Sequence, residues 1–319
     1  MKGKLYLGLD VGGSKISAAL VDNTGQMYAL RRQSTPPDGK LALDLLLDMA
    51  RDLQEQVTGG QATIEGIGIG FGGPVDYPNQ RIRRSHHTSG WGVNIPLAQT
   101  LGEELGLPVR LDNDANTAAL GEALFGAGKG KERILYINVG TGIGGALVRK
   151  QQIYHGAHSN AGEIGHIIVQ KGGPECACGH RGCLEPLASG TAMAQAALEA
   201  LSEEPDIETR LREVAPEEIT GVVVGDFAVE GDELCRKIVA EAAGWLALAA
   251  ANAANLWDPD AIIIGGGVSG TGEALMEPFR ERFRACATPP QAEETDLLIA
   301  RLGYDAGVVG AAALALTTL

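Results

Sequence analysis

Apolar residues follow two rhythms along this chain. Short continuous apolar runs that stop at glycine or an Asx residue predict buried strands, and apolar positions at three- and four-residue spacing predict helices. Residues 4–9 form an apolar strand run ending in Asp10, followed by Val11-Gly12-Gly13-Ser14-Lys15 and a second strand over 16–21. Asn23-Thr24-Gly25 then turns into a third strand near 27–31. Strands joined by a glycine turn predict an antiparallel hairpin, not a βαβ crossover. Residues 41–57 are helical, with Leu41, Leu43, Leu46, Met49 and Leu53 as the apolar set. A buried strand over 64–71 runs into Gly72-Gly73-Pro74, and 76–94 reads as an irregular loop. After a helix over 96–105 and a strand over 109–112, Asn113-Asp114-Ala115-Asn116 caps a helix over 117–125.

The opening pattern then returns. Residues 134–148 again read strand, glycine turn (Gly140-Thr141-Gly142), strand, which points to a weak internal duplication. Two related halves predict two domains, 1–126 completed by a C-terminal helix over 307–319, and 127–306. A nucleotide is expected in the cleft between them. The second half carries a helix-rich insert, a long alanine-rich helix over 232–256, a strand over 261–264 running into Gly265-Gly266-Gly267, a helix over 273–284 and a strand over 296–302.

At 319 residues with 45% apolar and 4% aromatic content, the composition is that of an α/β protein with two cores. The 45 glycines, without a collagen period, suggest many turns that approach a ligand closely. The net charge of −14, with no basic block, argues against nucleic acid as a partner. Phosphate would then be met by backbone amides, a helix dipole or Mg2+. Met1-Lys2-Gly3-Lys4 leads straight into a strand, so no signal peptide is expected, and no apolar stretch reaches membrane-spanning length. Five cysteines with this usage suit a reducing cytoplasm.

The chemistry concentrates in a few stretches. His166, Cys176, Cys178 and Cys183 offer one imidazole and three thiolates, the donor set of a closed structural Zn2+ site. The competing reading is three buried free cysteines beside an unrelated histidine. Gly179 and Gly182 would let the loop turn tightly. Gly12, Gly13, Ser14 and Lys15, with Gly140, Thr141 and Gly142, form paired glycine hairpins whose N–H groups can bind phosphate. Asp10 beside them suits Mg2+, against an ordinary turn-capping role. Gly265, Gly266 and Gly267 read as an adenosine-side loop; a dinucleotide site is the weaker alternative, because no acidic residue ends a second strand downstream. Gly126–Lys131 reads as a helix end with solvated lysines, not a P-loop. Asp114 is the candidate general base, against a plain N-cap. Glu163, His166 and Glu185 form a polar trio suited to vicinal sugar hydroxyls, against solvated glutamates. His86, His87 and Trp91 could line the same place or be structural.

Together, Asp10-x-Gly-Gly-Ser-Lys, Asn113-Asp114, Gly140-Thr-Gly-Ile-Gly-Gly, Gly162-Glu-Ile-Gly-His166 and Cys176-x-Cys-Gly-x-x-Gly-Cys-x-Glu185 resemble the ROK family of sugar kinases, in order and over essentially the whole chain. The resemblance implies an actin-like, ribonuclease-H-like ATPase fold that binds ATP and a hexose, commonly as a dimer. It implies Asp114 as the base that activates the sugar hydroxyl, with Asn113, Glu163, His166 and Glu185 on the other hydroxyls; Gly73 is placed with them. Glucokinase-like members often carry Pro-Asn before the Gly-Trp at Gly90-Trp91, where this chain has Ser85-His86-His87-Thr88. Repressors of the family add an N-terminal helix-turn-helix, for which a first strand at residue 4 leaves no room. The expected activity is transfer of the γ-phosphoryl group of ATP to a hexose, glucose first, with other hexoses and N-acetylhexosamines as alternatives. A non-catalytic sugar sensor is the rival from another class.

Overall fold

A computed structural model describes residues 2–84 and 91–319. The expectation for His86 and His87 lies outside the described residues. The chain divides into two compact units: the first holds the chain through Gly130, Ala146–Ala161 and Tyr304–Leu319; the second holds Lys131–Gly145 and Gly162–Gly303. The sequence reading kept 127–306 together, whereas packing assigns 146–161 to the first unit.

In the first unit the elements are β1 (Lys2–Val11), β2 (Lys15–Asp22), β3 (Met27–Ser34), α1 (Gly39–Glu55), β4 (Gln61–Phe71), β5 (Val75–Asp76), β6 (Arg81–Arg84), β7 (Val93–Ile95), α2 (Leu97–Leu105), β8 (Val109–Asn113) and α3 (Asp114–Phe125). The main sheet has the order β3-β2-β1-β4-β8. The β1–β2 and β2–β3 pairs are antiparallel, as the glycine hairpin predicts, and β1–β4 and β4–β8 are parallel.

Strand alternation decides what packs on each face. Leu5, Leu7 and Leu9 of β1 and Ile67, Ile69 and Phe71 of β4 are buried in one core with Leu46, Met49, Ala50 and Leu53 of α1 and Leu97 and Leu101 of α2. The alternate positions include Gly8, Gly66, Gly68 and Gly70. A Cβ on Gly8 would lie 2.1 Å from the Val308 carbonyl oxygen, and one on Gly68 1.8 Å from that of Ala311. Both oxygens belong to the C-terminal helix Ala306–Thr318 (α10, numbered after the second unit's elements), so only glycine lets this helix lie directly on the sheet.

The stretch 76–94 is not wholly irregular. β5, β6 and β7 form a small antiparallel sheet with Val75 opposite Ile82 and Ile82 opposite Ile95. The signal was the alternation of Arg81, Ile82 and Arg83, which buries Ile82 completely and leaves arginines on the other side. Trp91 is 3% exposed and meets Phe71 edge-on at 5.6 Å between ring centroids, so its role is in the core.

The second unit begins with β9 (Arg133–Val139) and β10 (Ile143–Arg149). The end of β10 belongs to the first unit, where it pairs with β11 (Gln152–Ile153). Then follow α4 (Glu185–Ala188), α5 (Gly190–Glu203), α6 (Gly221–Val229), α7 (Glu233–Trp257), β12 (Ala261–Gly265), α8 (Glu273–Cys286), α9 (Pro289–Glu294) and β13 (Asp296–Ile299). The sheet order β11-β10-β9-β12-β13 repeats that of the first sheet, strand for strand. This is the structural counterpart of the duplicated hairpin. β12 is buried at every position, as expected of a strand covered on both faces. The small side chains of Ala243, Ala247, Ala250, Ala251 and Ala254 give α7 its buried stripe. Among the described residues, no helix is long and apolar enough to cross a membrane.

Candidate active site

In the first unit, three strand ends converge. β1 ends with Asp10 and Val11; β4 ends at Phe71, and Gly72 N–H donates to the Val11 carbonyl at 2.9 Å. β8 ends with Asp112 and Asn113, and Asp114 opens α3. Gly72 lies beside the Asp114 carboxylate: a Cβ there would sit in van der Waals contact with Oδ2, at 3.4 Å. The half-buried Asp10 carboxyl is pushed up to about 7, first by burial and then by repulsion from Asp114, against the opposing pull of Lys15 and Arg32. Gly307, in the first turn of α10, leaves space for it: a Cβ there would meet all three Asp10 carboxyl atoms at 2.7–2.8 Å. Two acidic groups that repel each other suit a divalent cation, which would relieve the repulsion.

Asn113 is the N-cap of α3. Its Oδ1 accepts from Ala115 N–H at 2.9 Å and Asn116 N–H at 3.3 Å, and its Nδ2 donates to the Gly73 carbonyl at 3.3 Å. Asp114 also accepts from Ala115 N–H, at 2.9 Å. The cap is therefore made chiefly by Asn113 and Asp114 stands in the first turn, which separates the two roles the sequence left open.

The turn after β1 is tied down from β3. Gly12 N–H donates to the Lys15 carbonyl at 3.0 Å, and Thr35 donates through N–H to the Ser14 carbonyl at 3.0 Å and through Oγ1 to the Gly12 carbonyl at 2.7 Å. Gly13 and Ser14 are exposed, and the Lys15 ammonium lies 5.3 Å from the Tyr304 ring centroid. Asp305, next to Tyr304, pairs with Arg32.

In the second unit the equivalent turn is held by α5. Gly190 N–H donates to the Gly140 carbonyl at 2.8 Å, and Thr191 Oγ1 donates to the Thr141 carbonyl at 2.8 Å. Glu185 Oε2 accepts from Ile143 N–H at 2.8 Å and occupies the space a Cβ on Gly142 would need. Gly145 and Gly165 let the Gly162–His166 segment press against β10: added Cβ atoms would reach the Gly162 and Ile143 carbonyl oxygens at 2.5 and 2.2 Å. Glu163 and His166 remain exposed on that segment. Gly265 faces the Tyr136 hydroxyl, and Gly266 turns with φ of 84° where a Cβ would meet the Val139 backbone.

The metal-type loop closes on itself in the same unit. The donor atoms of His166, Cys176, Cys178 and Cys183 all lie within 4.8 Å of one another. Cys178 and Cys183 Sγ are 3.6 Å apart, and His166 Nδ1 is 3.5 Å from Cys176 Sγ. Two thiolates on one tetrahedral Zn2+ would be about 3.8 Å apart, so the four donors fit such an ion. Gly179 and Gly182 adopt φ of 89° and 79°, the left-handed turns this closure needs. Hydrogen bonding with His180 holds the Cys178 thiol down at about 6, while burial pushes Cys183 up to about 12.

Sequence reasoning missed Asp112, His155 and Gly307. Asp112 is 1% exposed and its Oδ2 lies 2.6 Å from His155 Nε2. No local pattern signals a contact between residues so far apart in sequence; the only hint was an acidic residue near the end of a strand.

Residues 6–318 match the ROK family. The chain is 38% identical to a glucokinase from Halalkalibacterium halodurans, over 97% of this chain and 94% of the relative, and 34% identical to a glucokinase from Thermotoga maritima, over 97% and 96%. The crystal structure of a ROK family glucokinase from Streptomyces griseus in complex with glucose and AMPPNP superposes with a TM-score of 0.85 at 34% identity, covering 97% of this chain and 98% of that one. With the repeated sheet order and the converging strand ends, these matches place the fold as actin-like, and the chain belongs to the ROK family.

Proposed function

We propose that this protein is an ATP- and Mg2+-dependent hexose kinase that converts glucose to glucose 6-phosphate. The observation that carries the reading is Asp114, held in the first turn of α3 beside Asp10 and the end of β4. A carboxylate so placed can accept the proton of a sugar hydroxyl. As the proton leaves the 6-hydroxyl for an Asp114 oxygen, the sugar oxygen bonds to the γ-phosphorus. The bond from that phosphorus to the β–γ bridging oxygen breaks, and ADP departs. Asn113, Gly73, Glu163, His166 and Glu185 are the proposed partners of the remaining hydroxyls. Backbone N–H groups of Gly12, Gly13, Ser14, Gly140, Thr141 and Gly142, with the Lys15 ammonium, are the proposed phosphate donors, and Gly265, Gly266 and Gly267 the adenosine-side contacts.

Asp10 would hold Mg2+, which supplies charge neutralisation at the phosphates. His166, Cys176, Cys178 and Cys183 would hold a structural Zn2+, which orders the loop leading to Glu185. His166 was expected in both a metal and a sugar role. As a zinc ligand it would use Nδ1, leaving Nε2 for a hydroxyl. A homodimer and a cytoplasmic location belong to the same proposal.

Release of ADP, measured by enzymatic coupling with ATP and Mg2+ against glucose, fructose, mannose, allose, N-acetylglucosamine and N-acetylmannosamine, tests the reading. Turnover with glucose at the highest kcat/KM is the expected result. Turnover with another sugar replaces the substrate. Sugar binding without ATP consumption, also absent with polyphosphate as donor, replaces the kinase by a sensor.

A further inference from the structure

Asp112 and His155 have no part in the reaction as written, yet they form the most buried acid–imidazole contact among the described residues. Asp112 spends its acceptors on three groups. Oδ1 accepts from Asn113 N–H at 2.8 Å and from Asn116 Nδ2 at 2.8 Å; Oδ2 meets His155 Nε2 at 2.6 Å. An ionised carboxylate can only accept, so Nε2 carries the proton and donates it. The imidazole is held in plane by Tyr77, whose ring stacks on it at 3.7 Å between centroids and 15° between planes. Burial and the Asp112 charge push the Tyr77 hydroxyl up from its usual range. The histidine comes from the segment after β11. Its carbonyl accepts from Ala161 N–H at 3.2 Å, and Arg83 Nη2 donates to the His158 carbonyl at 3.0 Å, so the loop carrying it closes on itself and is held from β6.

We propose that His155 is a positioning residue for phosphoryl transfer: by clamping Asp112 it fixes the Asn113 backbone and the first turn of α3, and through them the orientation of the Asp114 carboxylate. The inference rests on the kinase reading, with Asp114 as the base. Two of the three acceptor contacts of Asp112 bracket Asp114, one residue before it and two after it. Removing the imidazole frees Oδ2 and the Asp112 rotamer with it. The Asp112 side chain then loses its contact from outside β8 and α3. A base displaced by a fraction of an ångström loses turnover while the sugar and nucleotide contacts persist.

The test compares His155→Ala, His155→Gln and Asp112→Asn with the wild type in the ADP-release assay, alongside hydrogen exchange of the Asn113 amide followed by NMR. In His155→Ala, kcat is expected to fall about 10- to 100-fold with the KM values for glucose and ATP held within about threefold. The amide of Gln replaces the donor, so His155→Gln should recover most of kcat, and Asp112→Asn should resemble the alanine variant. Asn113 exchange should accelerate in His155→Ala and Asp112→Asn and stay slow in His155→Gln. If His155→Ala does not fold, His155→Asn, polar but too short to reach Asp112, carries the comparison. Wild-type kcat in His155→Ala, a loss confined to KM, or a glutamine variant as slow as alanine overturns the proposal. If the wild type phosphorylates no sugar, the kinase reading falls by itself, and the exchange rates alone decide whether His155 holds the corner.

Discussion

The two five-stranded sheets share one strand order and carry opposite chemistry at matching ends. The penultimate residue of the first strand is Asp10 in one sheet and Asn138 in the other. The fifth strand is followed by Asp114 in the first unit and by Ala300 in the second. Glycines follow the fourth strand in the first case and end it in the second, Gly72-Gly73 against Gly265-Gly266-Gly267. A duplicated scaffold therefore keeps its backbone turns in both copies while the strand-end carboxylates Asp10 and Asp114 collect in one. Under the kinase proposal the turn at Gly140 of the other copy would offer phosphate its backbone donors, with the Glu185 carboxylate engaged on the Ile143 N–H.

The largest expected effect comes from erasing that asymmetry at its centre. Asp114→Asn should lower kcat by roughly 10²–10⁴-fold while calorimetry still detects sugar binding. Wild-type turnover in the variant would remove Asp114 from the chemistry and with it the contrast. Next is the metal-type loop, which has no counterpart among the described residues of the first unit. Cys176→Ser should lose its zinc in elemental analysis, lose more than about 3 kcal/mol of stability and raise the sugar KM. Full metal content with unchanged activity would leave the cysteines as ordinary thiols.

Asp10 gives a smaller, pH-dependent effect. Unfolded, it loses its proton near 3.8; folded, near 7. Its contribution to stability is complete below about pH 4 and is lost as pH rises through 7, a change of at most about 4 kcal/mol. Thermal melting without Mg2+ should therefore show Asp10→Asn gaining on the wild type from pH 5 to pH 8, and added Mg2+ should close the gap. Parallel melting curves across that range would show that Asp10 ionises freely. The smallest change is the reciprocal one. Asn138→Asp places a charge at the matching strand end and should raise the ATP KM a few-fold with kcat nearly unchanged. A KM unaffected by this charge would mean the turn lies away from phosphate.

Much of this was legible in the sequence because local patterns encode it. Strand, glycine turn, strand identified both hairpins, and the Asx run before α3 identified both the cap and the acid. The Cys/His spacing anticipated donors that the structure brings within one ion's reach. What escaped depends on residues far apart. The His155–Asp112 contact spans 43 positions. Trp91 is aromatic and near glycine, which suggests a ligand wall, yet burial against Phe71 decides its role. Gly307 looked like one more small residue in an apolar helix; only the fold reveals that the Asp10 carboxyl occupies the space its side chain would take.

The glycine seat of α10 has a consequence for the order of events during synthesis. Gly8 and Gly68 meet a helix from the far end of the sequence, so the first sheet emerges from the ribosome long before its cover exists. Until then a bare strip of backbone and small side chains faces water. The second unit, whose two sequence pieces are both translated by Gly303, can consolidate first. The half of the chain that begins translation is thus the one that finishes folding last, and a nascent chain arrested before α10 should expose β1 and β4 to chaperones while the second unit is already protease-resistant.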